Sequence, residues 1–432
     1  MAVVPTASSS TDSVPLEDDG THIDAPELRL FVMALFFIFG GITSLNDVII
    51  PKLKELFTLN YTQAMLVQFC FFTAYLLIGI PGAALVKRVG YMRGAVVGLL
   101  TMMAGCLLFI PASKSAAYPL FLFALFVLAS GVVVVQVVTN PLISLLGPAR
   151  TAHSRLTFAQ AFNSLGTVIF PKVGAVIILG SLATVTAAEL SGPALDAYRV
   201  AETQTVVRTY IGLAIALALV AGVVWMNRNR LKGESHDSGS IFNSFDLLRR
   251  TRFAFGAACI FLYVGAEVSI GSLIVNYLQS HDVLGIDAAA AGGYIPFYWG
   301  GALVGRFAGS AILARVNPGK VLAFNAVAAI ALIAVSTHTT GAVSAWSLLL
   351  VGLANSIMFP TIFSLACEGL GRRAADGSGI INIAIFGGAV VPLMTGGVAD
   401  MTGSLHLALV LPAVCYAVIA AFGVFARRPA VA

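Results

Sequence analysis

Residues 82–94 read GAALVKRVGYMRG, and a related stretch, GSAILARVNPGKV, stands at 309–321. In each copy a glycine is followed six positions later by arginine and valine, and eleven positions later by another basic residue. A weaker internal similarity relates Gln136 to Asn355, each of which stands five residues before a proline. A chain that repeats itself in this way predicts two structural halves of one topology. Two such halves are the architecture of secondary transporters that rock around a central site.

The composition places the chain in a membrane. Hydrophobic residues make up 58% of the 432 residues and charged residues 10%, with a mean hydropathy of +0.92. A soluble domain could not bury so much apolar side chain, because most of its surface must face water. Since a spanning helix needs about 20 mostly apolar residues, we predict an all-α membrane protein with twelve transmembrane helices in two six-helix halves. The spans lie at roughly 29–51, 62–86, 94–111, 118–146, 156–180, 207–227, 253–279, 289–314, 319–337, 343–368, 377–400 and 405–426.

The lysines and arginines predict the orientation. Seventeen of the 25 lie in alternate connections or in the carboxyl-terminal tail, and five lie in the opposite connections. Because basic loops stay in the cytoplasm, both termini are expected there. The predicted segments are a disordered cytoplasmic tail at 1–28, an N-terminal bundle at 29–227, a cytoplasmic linker at 228–251, a C-terminal bundle at 252–427 and a short tail at 428–432, with an external loop at 181–206.

Several classes of function find no support in the sequence. The five cysteines are scattered without a CxxC pair, and the six histidines lie mainly in the tail and loops, so no metal site or cofactor is expected. No GxSxG elbow or P-loop is present, which argues against an enzyme and against ATP-driven transport. The net charge of +5 is explained by the basic loops, and no nucleic-acid partner is expected.

Polar side chains inside the predicted spans share helix faces at three- or four-residue spacing. Such amides can bind a sugar or can join helices to one another. The amide offers both a donor and an acceptor without a charge, as sugar hydroxyls require. Phe359, Tyr298 and Trp299 are candidate rings for packing against a flat sugar face. The candidate sugar-binding amides are Asn46, Gln136, Asn140, Gln160, Asn163, Asn355 and Asn382, the last sharing its face with Ser378.

Long stretches of the chain resemble a known transporter family. LNDVIIPKLKELFTLNYTQAMLVQFCFFTAYLL, QVVTNPLISLLGP, SRLTFAQAFNSLGT, YVGAEVSIGSLIVNYL and MFPTIFSLACEGLG are similar to the fucose–galactose–glucose:proton symporters of the major facilitator superfamily. The likeness runs from about Leu30 to Arg427 through both halves. It implies an inner-membrane symporter for a neutral hexose, driven by the proton gradient. Because both halves lie in one chain, a monomer is the expected state.

Three positions bear on the branch of the family. The fucose branch carries two carboxylates, and Asp47 matches the first, whereas Gln136 stands at the second. The fucose branch also has a tyrosine where this chain has Phe359. These departures resemble the glucose/galactose branch, with N-acetylglucosamine transporters as close neighbours. The choice among hexoses and amino sugars stays open, and the missing carboxylate leaves a passive sugar uniporter as the main competitor.

Two carboxylates are candidates for proton coupling. Asp47 is one candidate: it is either a residue in a structural ion pair or a water-facing residue at the end of the first span, or it carries the proton. As a carrier, its affinity for the proton would change with its exposure to solvent. Glu267 lies deep in the seventh span, where it can carry the proton, accept sugar hydroxyls or pair with a base. The role of Lys172 is open, and a structural pairing is expected for Arg306. Four loop bases are predicted to gate the halves: Arg88, Arg93, Arg315 and Lys320.

Overall fold

The computed structural model describes residues 27–45, 49, 53, 56–57, 61–115, 117–174, 191–229, 241–286 and 288–428. Predictions for the tail at 1–26 and for Asn46 and Asp47 lie outside these residues. Regular structure in the described ranges is helical. The α-helices are α1 Glu27–Ser44, α2 Tyr61–Val89, α3 Tyr91–Ser115, α4 Tyr118–Leu145, α5 Ala152–Gly174, α6 Gly192–Met226, α7 Thr251–Gln279, α8 Ala288–Gly292, α9 Ile295–Leu313, α10 Pro318–His338, α11 Gly341–Asn355, α12 Met358–Ala366, α13 Ala374–Ala384, α14 Gly387–Thr402, α15 Leu405–Ala408 and α16 Val410–Phe425.

The helices agree with the predicted spans. In the described ranges, nine helices or interrupted helices are long and apolar enough to cross a membrane. The three other predicted spans are occupied by α1, α5 and α8–α9. The tenth, eleventh and twelfth spans are each interrupted, giving the pairs α11–α12, α13–α14 and α15–α16. The all-α, two-half fold expected from the hydropathy pattern is therefore confirmed.

Within the predicted external loop at 181–206, residues 192–206 are helical. These residues form the first turns of α6, which is 35 residues long instead of the 21 predicted at 207–227. Pro193 occupies the beginning of the helix, where its missing N–H costs nothing. The following alanines, arginine and glutamate favour a helix, although their polarity places them outside an apolar span.

Small residues let neighbouring helices approach closely within each half. A Cβ atom added to Gly131 of α4 would lie 2.5 Å from the backbone nitrogen of Met102 on α3. In the second half, a Cβ atom on Gly352 of α11 would lie 2.0 Å from the carbonyl oxygen of Tyr298 on α9. Such contacts are the usual way in which helices pack where lipid removes the hydrophobic driving force.

The two copies of the sequence repeat form short turns at one end of the bundle. Gly90 alone joins α2 to α3, with a φ of 86° that favours glycine. Asn317 caps α10 by accepting a hydrogen bond from the backbone N–H of Lys320. We call this end, where residues 241–249 also form a 3₁₀ helix, the linker end. The helices α1–α6 are called the N half, and α7–α16 the C half.

The halves contact each other closely toward the linker end. A Cβ atom on Gly79 of α2 would lie 2.6 Å from the carbonyl oxygen of Gly379 on α13. The rings of Phe158 on α5 and Phe307 on α9 meet edge to face, with 5.9 Å between their centroids. The linker end is therefore closed in this conformation.

Candidate functional site

In the N half, three of the predicted amides belong to one cluster. The Nε2 of Gln136 on α4 donates a hydrogen bond to the hydroxyl of Tyr75 on α2, at 2.9 Å. The Nε2 of Gln160 on α5 lies 3.4 Å from the Oδ1 of Asn140 on α4. All four side chains are buried. The sequence did not single out Tyr75, because a lone tyrosine in an apolar helix gives no signal of its own.

In the C half, a second cluster surrounds Glu267 on α7. The hydroxyl of Tyr263 lies 2.8 Å from Oε1 of Glu267 and 3.1 Å from the carbonyl oxygen of Asn355. The Nδ2 of Asn355 donates to the hydroxyl of Tyr298, which in turn donates to the carbonyl oxygen of Glu267 at 3.1 Å. Tyr263 thus binds the carboxylate of Glu267, and Tyr298 binds its backbone carbonyl.

A break in the tenth span places Asn355 in this cluster. The helix stops at Asn355 and starts again at Met358, and Pro360 follows. Because proline has no N–H, the carbonyl of Ser356 has no partner four residues along the chain. That carbonyl accepts a hydrogen bond from Nε of Arg306 at 3.1 Å. Irregular backbone at membrane depth is tolerated where such partners replace the lost bonds.

Arg306 connects the two clusters. Its Nη1 donates to the carbonyl oxygen of Gln160 at 3.2 Å and to the hydroxyl of Ser164, both on α5 of the N half. From the sequence only a structural pairing is expected for Arg306, since the partners are mostly backbone atoms that no sequence pattern displays.

Two further predicted amides lie apart from these hydrogen bonds. Asn382 is fully buried; its Nδ2 donates to the carbonyl oxygen of Ser378 at 2.8 Å. Its Oδ1 is buried with no hydrogen-bond partner among the described residues. Asn163 is half-buried and donates to the carbonyl oxygen of Phe36 on α1 at 3.3 Å, which joins helices.

The candidate rings occupy different surroundings. Tyr298 belongs to the Glu267 cluster, as described above. Phe359 is half-buried, with its ring centroid 6.5 Å from that of Tyr263. Trp299 is 38% exposed and packs edge to face on Tyr298 at 5.0 Å. Asn46 and Asp47, and the side chain of Lys172, lie outside the described residues, so the structure does not place them.

At the linker end, a buried carboxylate joins the halves. Asp376 on α13 is 2% exposed, and its Oδ2 lies 3.2 Å from Nζ of Lys87 on α2. Its Oδ1 accepts a hydrogen bond from Ser244 in the linker at 2.9 Å. Arg373 lies 3.4 Å from the same Oδ2 and also binds Asp246 of the linker through both Nη atoms. This hydrogen bonding by Arg373 holds the pKa of the exposed Asp246 below its usual range.

The four predicted gating bases lie beside this group. Arg88, Arg93, Arg315 and Lys320 are all exposed at the linker end. The ion pair between the halves in the described residues is made instead by Lys87, the neighbour of Arg88. The sequence missed Lys87 and Asp376 as a pair because 289 residues separate them.

Two six-helix halves that share a buried polar cluster and close at one end define a membrane transport protein. The Major Facilitator Superfamily model matches residues 32–392, and the chain belongs to that family. It is 48% identical to the glucose/galactose transporter of Brucella abortus over 91% of this chain and 92% of that protein. It is 32% identical to the L-fucose-proton symporter of Escherichia coli, covering 94% and 96% of the two chains.

A solved structure supports the same relationship. The crystal structure of the Major Facilitator Superfamily transporter FucP in the outward conformation aligns with a TM-score of 0.85 at 32% identity. The alignment covers 93% of this chain and 99% of that one. The resemblance inferred from the sequence motifs is therefore confirmed.

Proposed function

We propose that this protein imports a neutral hexose of the glucose/galactose type by proton symport across the bacterial inner membrane. The observation that carries the proposal is the cluster of uncharged amides and tyrosines divided between the two halves. The relative from Brucella abortus, named a glucose/galactose transporter, and the putative one from Helicobacter pylori, 42% identical, support the sugar. The expected ligands are a sugar and a proton. The protein is expected to act as a monomer in the lipid bilayer and to need no cofactor.

The chemistry of the cluster suits a sugar. Gln136, Asn140, Gln160, Asn355 and Asn382 supply amides, each of which can donate and accept. The unpartnered Oδ1 of Asn382 is an acceptor that a sugar hydroxyl would satisfy. Asn46, Asn163 and Phe359 remain proposed contributors to the same site. A ligand that lacks one matching hydroxyl leaves a buried group unpaired, at a cost of about 1–3 kcal/mol.

For the proton we propose Glu267 or Asp47 as the carrier. Glu267 is a carboxylate within the membrane, and such residues are usually functional because their burial is expensive. Its hydrogen bond with Tyr263 keeps Oε1 in place beside the sugar-binding amides. Asp47 lies beyond the described residues, and its role rests on the sequence match alone.

We propose that the structure represents the outward-facing state of an alternating-access cycle. The basic residues at the linker end favour a cytoplasmic location for that end and for both termini. The closure of α2 against α13 and of α5 against α9 then seals the cytoplasmic side. The crystal structure of the relative FucP, which is in the outward conformation, supports this assignment.

The test is uptake of labelled glucose into proteoliposomes, with and without an imposed inward proton gradient. We expect gradient-dependent accumulation above equilibrium in the wild type. Asp47→Asn and Glu267→Gln are compared with it, and the true carrier is the one whose substitution leaves exchange of sugar but abolishes accumulation.

The outcomes separate the alternatives. Equilibration without accumulation, whatever the gradient, would identify a passive uniporter and contradict the symport proposal. Competition of labelled glucose by unlabelled galactose, mannose and N-acetylglucosamine ranks the substrates. If labelled glucose is not taken up but labelled N-acetylglucosamine is accumulated, the hexose part of the proposal is wrong and an amino-sugar permease replaces it.

A further inference from the structure

Arg306 is a cation within the membrane whose partners belong to both halves. Within its own half it donates Nε to the carbonyl of Ser356, at the break beside Asn355. Across the interface it donates Nη1 to the carbonyl of Gln160 and to Ser164. A charge at this depth is costly unless it is paired or used. Asn355 in its own half and Gln160 in the other half, the residues beside these contacts, are both proposed sugar-binding residues.

The three acceptors of Arg306 are neutral. Two of them lie on α5, so they move with the N half when the halves separate at the linker end. The carbonyl of Ser356 stays with Arg306 in the C half. Loss of the α5 acceptors would leave a guanidinium with unpaired N–H groups, which is expensive in a medium of low dielectric constant.

Glu267 is the group that can compensate for this loss. It belongs to the C half, and it lies close to Arg306: Tyr263 bonds both Oε1 of Glu267 and the carbonyl of Asn355, and Arg306 bonds the carbonyl of the next residue, Ser356. Only its Oε1 has a hydrogen-bond partner in the described part of the chain, the hydroxyl of Tyr263. Nη2 of Arg306 likewise donates to none of the described residues, so a carboxylate–guanidinium contact needs no other bond to break.

We propose that Arg306 couples the halves: it holds α5 in the conformation described here, and it passes to the carboxylate of Glu267 when the halves separate. Arg306 is thus a positioning residue with acceptors in both conformations, whereas Glu267 gains the guanidinium as a partner only when the halves separate. Removal of Glu267 should therefore shift the conformational equilibrium toward the present conformation, and only while Arg306 is in place. A purely structural role of Glu267 would give the same shift with and without Arg306.

The test measures the distance between two spin labels by electron paramagnetic resonance. The labels replace Lys114 at the end of α3 and His338 at the end of α10, which are both exposed at the end opposite the linker. The background lacks the five native cysteines. The labels are on opposite halves, so we expect their distance to shorten when the linker end opens and the opposite end closes. Reconstituted protein is measured without sugar.

Glu267→Gln is expected to decrease the population with the short distance about tenfold relative to the long one. In an Arg306→Gln background the same substitution should change nothing, because the partner of the carboxylate is gone. An Arg306→Lys background should keep part of the decrease, because one ammonium replaces the two-sided guanidinium, and it serves if Arg306→Gln fails to fold. Arg208→Gln removes an exposed arginine of α6 as the matched control and should change nothing.

An unchanged distance distribution in Glu267→Gln would overturn the proposal. An equal effect of Glu267→Gln with and without Arg306 would overturn the exchange of partners. The inference uses the proposed function only to name the sugar site. The distances are measured without substrate, so they test the coupling independently of transport. The expected distance shift can be absent although glucose uptake is observed, and it can be present although glucose is not taken up.

Discussion

At the scale of the residue, Asn382 shows how a membrane helix can hold a polar group ready for a ligand. Its amide nitrogen is satisfied within its own helix turn, which makes the burial tolerable. Its Oδ1 is left without a partner among the described residues. A buried acceptor of this kind costs free energy until a donor arrives, and a sugar hydroxyl would be such a donor.

Asn382→Leu should therefore weaken sugar binding with little effect on folding. The two side chains are similar in size, and the loss of one buried hydrogen bond of about 1–3 kcal/mol predicts a half-saturation concentration roughly 5- to 150-fold higher. The initial rate of uptake at increasing sugar concentration measures it. Asn276→Leu, at an exposed position of α7, is the matched control. An unaltered half-saturation concentration in Asn382→Leu would remove this residue from the site.

At the scale of the element, the broken tenth span links backbone chemistry to the site. Pro360 leaves the carbonyl of Ser356 without its helical partner, and Arg306 supplies the missing donor. The break also turns the backbone of Asn355 toward Tyr263. The interruption between α11 and α12 therefore positions the side chains of the cluster and holds the guanidinium of Arg306.

Pro360→Ala should lower transport without lowering stability. Alanine restores an N–H that competes with Arg306 for the carbonyl of Ser356, while its better helix propensity favours the folded protein. We expect an initial uptake rate reduced roughly tenfold and a Tm that is equal or higher. Pro318→Ala is the control, since Pro318 begins α10 where the missing N–H has no partner. Full uptake in Pro360→Ala would show that the freed carbonyl is not needed.

The elements also show how far sequence reasoning reached. Hydropathy located the spans because membrane helices must satisfy their backbone internally, and the polar amides stood out against that background. The sequence could not reveal Tyr75, Arg306 or Lys87 as candidate site or interface residues. Their roles depend on contacts with backbone carbonyls or with side chains from the other half, which are set by tertiary packing. The length of α6 was missed because its first turns are polar.

At the scale of the whole molecule, the linker end joins three parts of the chain around Asp376. The carboxylate binds Lys87 from the N half, Ser244 from the linker and Arg373 from its own half. Removal of one partner from a buried ion pair is costly, because the other charge stays behind without compensation. The pair with Lys87 is therefore expected to favour closure.

Lys87→Gln should open the linker end more often. The readout is alkylation of a cysteine placed at Ala83, which is 1% exposed and lies against Gly379 in the closed state. About 1–3 kcal/mol of lost coupling predicts labelling roughly 5- to 150-fold faster. Lys114→Gln, at the opposite end, is the control. Equal labelling rates in the two variants would contradict a gating role for the pair.

The pH dependence of transport should not arise at the linker. The pKa of Asp246 is lowered mainly by its hydrogen bonds with Arg373, so this contact persists above the ordinary value of 3.8 and is lost only as the pH falls below it. Asp246→Asn is therefore expected to leave the shape of the uptake profile between about pH 5 and 8 unchanged. A profile that moves with this substitution would mean that the linker takes part in proton coupling.

The attachment of the linker to one half has a consequence for the range of motion. Ser244 and Asp246 are fastened to Asp376 and Arg373 of the C half, while α6 and its last turn belong to the N half through Asn229. Only the eleven residues 230–240 connect these two anchored parts of the chain. Eleven residues span at most about 40 Å when fully extended. This contour length limits how far the two halves can separate at the linker end, and deletion of residues from the segment should restrict that separation further.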